Sequence, residues 1–247
     1  MNNVEQAVMD IETEGFAVIR ELITGERLAQ LDKAAEALLI QYDAKSVDGG
    51  KVSGRMHKGT FGVSRAFDDI MIHPVLLDIV ARVLDPNKQG LHEQELREYI
   101  ASLPSQDESF KCNIMIKDAV PREDIRSLHR DVRVPVPRPH RPVVCNMLLA
   151  IDPFTTGNGA TCVIPGSHRL VSDGVPSTKP VPVEMGPGDI VIFDGEVWHG
   201  HIPNLSHDRF RRCLNLNYHY RWLPNFPNPK LPDDTWAEFP EALRAIV

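Results

Sequence analysis

Two short segments about seventy residues apart, Ser127-Leu128-His129-Arg130-Asp131 and Trp198-His199-Gly200, constrain this chain more than any other feature. Two imidazoles and one carboxylate form the ligand set of a facial triad, which grips one face of an octahedral Fe(II) and leaves the opposite face open. In an extended segment residues i and i+2 point the same way, so His129 and Asp131 can reach one ion while Arg130 faces elsewhere. The third ligand then has to come from a distant strand that closes over the first. His199 follows such a strand candidate, Asp189-Ile190-Val191-Ile192-Phe193-Asp194. Imidazole plus carboxylate suits Fe(II), and the lack of nearby thiolates argues against a structural zinc site. On its own a His-x-Asp pair more often marks an ordinary polar turn, so the surrounding sequence decides.

That surrounding sequence is Asn158-Gly159-Ala160-Thr161-Cys162-Val163-Ile164-Pro165-Gly166-Ser167-His168, then Gly188 to Asp194, then Trp198-His199-Gly200 with Asn204 and Ser206, and Arg211-Arg212 a few residues later. In order and spacing these motifs resemble the phytanoyl-CoA dioxygenase-like family of Fe(II)/2-oxoglutarate oxygenases, from His129 to Arg212 and more weakly at Gly15-Phe16-Ala17-Val18-Ile19. The resemblance implies a mainly β fold, a double-stranded β-helix or jelly roll, with flanking N-terminal helices and iron in its mouth. It also implies that 2-oxoglutarate and O2 are cosubstrates. Carried over position by position, His129, Asp131 and His199 are the iron ligands, and Arg211 is the partner of the distal carboxylate of 2-oxoglutarate. Arg212 is the runner-up, because alternation lets only one of the adjacent pair point inward. A guanidinium suits this role because its planar fork matches a carboxylate and stays charged. Related halogenases replace the carboxylate ligand by a small residue, so an intact Asp131 points to hydroxylation, desaturation, epoxidation or oxidative rearrangement.

Bulk properties agree with a soluble enzyme. A chain of 247 residues accommodates one all-β domain with helical additions. The expected layout is a helical layer and lid region over 1–105, a jelly-roll core over 106–222 and a C-terminal extension over 223–247. No apolar run is long enough to span a bilayer and no basic-then-apolar leader opens the sequence, which makes the cytoplasm the default expectation. Cys112, Cys145, Cys162 and Cys213 are scattered through apolar stretches, as buried free thiols are. A formal charge of −7 offers no general attraction for nucleic acid. The partner class is therefore a small molecule, with a homodimer left open as the assembly.

Along the chain, residues 4–14 read as a helix and 16–19 as a strand, the switch marked by Gly15. Leu28, Leu31, Ala35, Leu38, Leu39 and Tyr42 recur at helical steps over 25–42 behind the N-cap candidate Thr24, and 74–84 is a helix opened by Pro74. Residues 48–54 read as a flexible polar loop leading into Arg55 to Gly62, and 91–103 as a charged helix. Strands are expected over 110–117, 142–151, 181–184, 189–194 and 213–221, with 224–232 too proline-rich for regular structure.

Several residues carry two readings. Asn146, in an otherwise apolar strand, needs a hydrogen-bond partner if buried; it either contacts 2-oxoglutarate, as relatives imply, or makes a structural hydrogen bond. His201, two residues after His199, competes for the third ligand position. His168 is read as a turn residue and Asp194 likewise. His57, Lys58 and Arg65 either close over the site or line a solvated loop. The substrate expected is a small natural-product intermediate, with an amino-acid derivative or an acyl-CoA as alternatives. A silent cupin-like binding module and a metal-dependent hydrolase or isomerase are the competing classes.

Overall fold

The computed structural model describes residues 3–41, 45–48, 51–85, 110–122, 126–132, 137–223 and 233–247. The expected helix over 91–103 and the proline-rich stretch over 224–232 lie outside these residues. The chain opens with helix α1, Asn3–Glu14, which buries Val4, Ala7 and Ile11 at steps of three and four. Gly15 ends it at φ 86° and turns directly into strand β1, Phe16–Ile19. A Cβ at Gly15 would sit 2.3 Å from Val197 Cγ2, so glycine is needed for space as well as for torsion. Helix α2, Gly25–Gln41, buries Leu31, Ala35, Leu38 and Leu39.

Where a loop over 48–54 was expected, the structure has a hairpin: β2, Lys45–Asp48, against β3, Lys51–Lys58, with Asp48 opposite Lys51. The intervening sequence Gly49-Gly50 is a pair that tight hairpin turns use, a stronger signal than the surrounding polarity. Short α3, Asp68–Met71, and α4, Pro74–Leu84, follow, the latter with proline at its first turn. Next come β4, Phe110–Ala119; β5, Arg126–His129; β6, Val144–Ala150; β7, Thr161–Val163; β8, Val181–Pro182; β9, Ile190–Asp194; β10, His199–His201; and β11, Arg211–Tyr220. Two short helices, α5, Asp233–Ala237, and α6, Glu241–Arg244, complete the described chain.

The strands form two sheets, a seven-stranded one in the order β1-β9-β6-β11-β4-β3-β2 and a four-stranded one in the order β5-β10-β7-β8. Every strand pair among the described residues is antiparallel. This is the jelly roll, with the helices on the outer face of the larger sheet. Alternation along each central strand divides the core in two. Cys112, Ile114 and Ile116 of β4, Cys145, Met147 and Leu149 of β6, and Leu214, Leu216 and Tyr218 of β11 pack with the helices. Leu148, Ala150, Val191, Phe193 and Cys213 face inward, against Phe154, Val163, Val183 and Val197. The Tyr218 hydroxyl, fully buried, donates to Met71 O at 2.7 Å, so its burial leaves no unmet polar group.

The N-terminal segment is locked to the roll at Gly188, which has φ 85° and lies so close to Ile23 that a Cβ would come 1.9 Å from the Ile23 carbonyl oxygen. Gly188→Ala should therefore combine torsional strain with a backbone clash and lower stability by about 3 kcal/mol. Gly174→Ala, with only Ser172 Oγ at 3.5 Å, should change it little. Urea midpoints of the two variants measure the difference.

Candidate metal centre

Pairing between β5 and β10 sets His199 directly opposite His129, which brings the two imidazoles together with ring centroids 4.4 Å apart. Asp131 lies just past the end of β5, its backbone N–H donating to Gly195 O at 2.9 Å. Its Oδ1 is 3.5 Å from His129 Nε2 and its Oδ2 is 3.4 Å from His199 Nε2. One ligand atom from each of the three residues lies within 4.8 Å of the others. The chain thus gathers the three residues that the sequence singled out.

The protonation pattern suits a cation. His199 Nδ1 lies 2.9 Å from Val197 O, an acceptor, so Nδ1 donates to the backbone and Nε2 is the ring nitrogen turned toward Asp131. Burial pushes the Asp131 carboxyl up, but the charge and hydrogen bonds of His199 and His129 outweigh it and hold the group well below the usual carboxylate range. Phe193, with its ring 4.6 Å from that of His199, packs against the imidazole from the floor of the roll.

The competing residues fall elsewhere. His201 is offset from His199 by a register irregularity and lies opposite Arg126, with Nδ1 2.9 Å from Ile202 O. Among the described residues, the ligand atoms that lie within 4.8 Å of one another belong to His129, Asp131 and His199, without His201. His168 sits in a 3-10 turn, Ser167–Arg169, with Nε2 3.3 Å from Glu12 O, and ties that turn to α1. Arg130 does face away: its guanidinium donates to Ser167 O at 3.0 Å and Leu170 O at 2.9 Å and lies 3.6 Å from the buried Glu196. Glu196 also takes Arg138 Nε at 2.6 Å and His140 Nε2 at 3.2 Å. This ion cluster behind the metal-binding loop was not foreseen; its one sequence signal is the arginine between two ligands. Asp194 has the expected turn role, accepting Glu196 N–H at 3.0 Å, and burial pushes its carboxyl up to about 7. His57 and Lys58 end β3 opposite Ile116 and Met115 rather than in a loop, and the Arg65 guanidinium lies 3.7 Å from the Phe239 ring centroid.

The two arginines that open β11 separate as alternation requires. Arg212 points outward, 2.8 Å from Asp32, 3.0 Å from Glu36 and 2.8 Å from Asp152. Arg211 points into the roll, 3% exposed, with its guanidinium 4.5 Å from the Phe154 ring centroid and Nη1 3.5 Å from Cys213 Sγ. No carboxylate pairs with it among the described residues, and its Nε has no hydrogen-bond partner there. Asn146, fully buried, donates Nδ2 to Asp131 Oδ2 at 2.6 Å and accepts from Asn217. These bonds supply the partner that burial of the amide requires.

A jelly roll on which two imidazoles and a carboxylate converge presents a candidate metal centre. The chain belongs to the phytanoyl-CoA dioxygenase (PhyH) family, whose model matches residues 11–213. It is 29% identical over 187 residues to the dioxygenase af480 of Aspergillus fumigatus, covering 72% of this chain and 53% of that protein. It is 32% identical over 108 residues to the iron/alpha-ketoglutarate-dependent dioxygenase penM of Penicillium thymicola, covering 41% of this chain and 35% of that protein. The chain thus spans about half or less of the length of these relatives. Among solved structures, the non-heme alpha ketoglutarate dependent epimerase SnoN from nogalamycin biosynthesis superposes with a TM-score of 0.68 at 15% identity, covering 93% of this chain and 89% of that one. HygX from Streptomyces hygroscopicus, solved with nickel and 2-oxoglutarate bound, gives a TM-score of 0.63 at 14% identity, covering 88% and 87%. These likenesses establish the fold.

Among the described residues no helix is long and apolar enough to cross a membrane. His129→Ala and His199→Ala should each abolish binding of one equivalent of Fe(II), whereas His201→Ala should retain it. Metal content after anaerobic loading and desalting decides, and the reverse pattern would move the third ligand to His201.

Proposed function

We propose that this protein is an Fe(II)/2-oxoglutarate-dependent oxygenase acting on a small molecule, with His129, Asp131 and His199 holding the iron and Arg211 holding the distal carboxylate of 2-oxoglutarate. The observation that carries this reading is the buried guanidinium of Arg211. A charge taken out of water without a counterion is costly, so a protein that keeps one has a use for an anion there. Arg211 shares the inner face of β11 with Asn217, whose amide bonds to the one that holds Asp131. A dicarboxylate with one end at the metal and the other at Arg211 would satisfy both.

The donor set fits Fe(II): two imidazoles, one carboxylate and no thiolate in the cluster. When bound, the iron would couple oxidative decarboxylation of 2-oxoglutarate, giving succinate and CO2, to transfer of the second oxygen atom of O2 to the substrate, or to an equivalent two-electron oxidation. The protein's own part is orientation and exclusion of water. Phe193 fixes the His199 ring, and Phe154, Val163, Val183 and Val197 line the apolar floor beneath the site. A small natural-product intermediate is the substrate class best supported, because the relatives named above include a biosynthetic enzyme of nogalamycin. A silent binding module has no need of a complete ligand set together with a buried arginine that has no counterion among the described residues.

Loss of the charge-assisted bidentate pair in Arg211→Ala should weaken 2-oxoglutarate binding at least about a hundredfold, since stranding a buried carboxylate costs on the order of 3–5 kcal/mol. Iron content should persist. Arg212→Ala, which breaks only outward ion pairs, should lower thermal stability and leave that affinity nearly unchanged. Anaerobic titration of 2-oxoglutarate into the Fe(II) protein, followed by the metal-to-ligand charge-transfer band, measures both. A band insensitive to either substitution would remove the basis for the 2-oxoglutarate assignment.

A further inference from the structure

Four inward-facing residues line up across the larger sheet beneath the metal cluster. Phe193 of β9 stands opposite Asn146 of β6, Asn146 opposite Asn217 of β11, and Asn217 opposite Asn113 of β4. Phe193 packs on His199, and Asn146 bonds to Asp131. The row therefore contacts two of the three candidate ligands from below.

The polarity of the amides in this row follows from the carboxylate. An ionised Asp131 only accepts, so Asn146 must present its NH2 to Oδ2 and turn its carbonyl toward Asn217. Asn217 must in turn present its NH2 to that carbonyl, as the structure has it. Asn146 is fully buried and Asn217 is 3% exposed, so neither amide exchanges these bonds readily with bulk water. Each oxygen of Asp131 faces one imidazole, Oδ1 at 3.5 Å from His129 Nε2 and Oδ2 at 3.4 Å from His199 Nε2. The Asn146 amide makes them unequal, because it engages Oδ2 at 2.6 Å and no amide donor lies on Oδ1 among the described residues.

We infer that Asn217 and Asn146 are positioning residues that restrict Asp131 to binding a divalent metal through Oδ1 alone. This rests on the reading above that His129, Asp131 and His199 hold such a metal. A carboxylate that grips with both oxygens takes two coordination positions; one held to a single oxygen leaves that second position to other ligands. Asn146 acts by occupying Oδ2. Asn217 acts one step further back, by fixing which end of Asn146 faces the carboxylate.

The test uses Co(II) as the probe and reads the carboxylate itself. In the infrared difference spectrum of the Co(II)-loaded against the metal-free full chain, with 13C-labelled aspartate, the splitting between antisymmetric and symmetric carboxylate stretches is wide for one-oxygen and narrow for two-oxygen binding. The wild-type chain should show the wide splitting. Asn146→Ala should narrow it while Co(II) stays bound, and Asn217→Ala should narrow it in the same direction although Asn146 is intact. Should Asn146→Ala fail to fold, Asn217→Ala alone decides. Wild-type splitting in both variants, or narrowing in Asn146→Ala only, would overturn the two-residue relay. A wild-type chain that takes up no Co(II) would instead defeat the metal reading, and the proposal with it, before any variant is made.

Discussion

Alternation along β11 sends Leu214, Leu216 and Tyr218 to the helices and Arg211, Cys213, Asn215 and Asn217 to the interior of the roll, and the rest of the structure depends on that division. A sheet buried on one face needs apolar residues only there. This sheet is covered on both, by helices outside and by the smaller sheet inside. The inner face can thus be apolar at its floor and polar toward its mouth without opening either core to water. A one-residue slip of β11 would place Arg211 among the helices and Arg212 in the roll. The three carboxylates of Asp32, Glu36 and Asp152 around Arg212 oppose that slip as much as the leucines do.

The candidate metal centre inherits its precision from the same scaffold. His129 and His199 meet because two short strands pair at that register, and Asp131 is held from both directions, by the backbone of Gly195 and by the amide of Asn146. Behind it, Arg130, Arg138 and His140 converge on the buried Glu196. A buried ion cluster of this kind is weak evidence for stability, but it fixes geometry, because each partner lost leaves a charge stranded. The end of β5, with the candidate ligands His129 and Asp131, is accordingly braced on the side away from the cluster.

Much of this could be read from the sequence, and the parts that could not share a cause. Helices with strong periodicity were recognisable to within a residue or two: α2 is described from Gly25 to Gln41, with Tyr42 outside the described residues, and α4 runs over the residues expected of it. The candidate ligand set was recognisable because the motifs around it are ordered and spaced; alternation required that only one of Arg211 and Arg212 point inward, and the family resemblance indicated Arg211. The strands β5, β7 and β10, three or four residues each, are too short to show a period, and it is their pairing that builds the site. The hairpin of β2 and β3 was hidden by polar residues that are ordinary on an edge strand. Asn146 illustrates the remaining limit. Its burial and its need for a partner follow from an amide in an apolar strand, but which partner it finds depends on Asn217, seventy-one positions away.

The backbone bond from Cys112 N–H to Ile246 O, at 2.5 Å, has a consequence beyond the packing of the C-terminal segment. Among the described residues, strand β3 covers β4 only opposite Met115, Ile116 and Lys117, and without Ile246 the Cys112 end of β4 would be a bare sheet edge there. Such an edge is a template on which a second chain can add a strand and begin to aggregate. By docking Ile246 there, with Phe239, Leu243 and Val247 anchored in the helical core, the protein withholds that template along the strand that also carries Asn113. Protection against self-association and integrity of the site wall thus rest on the same few residues.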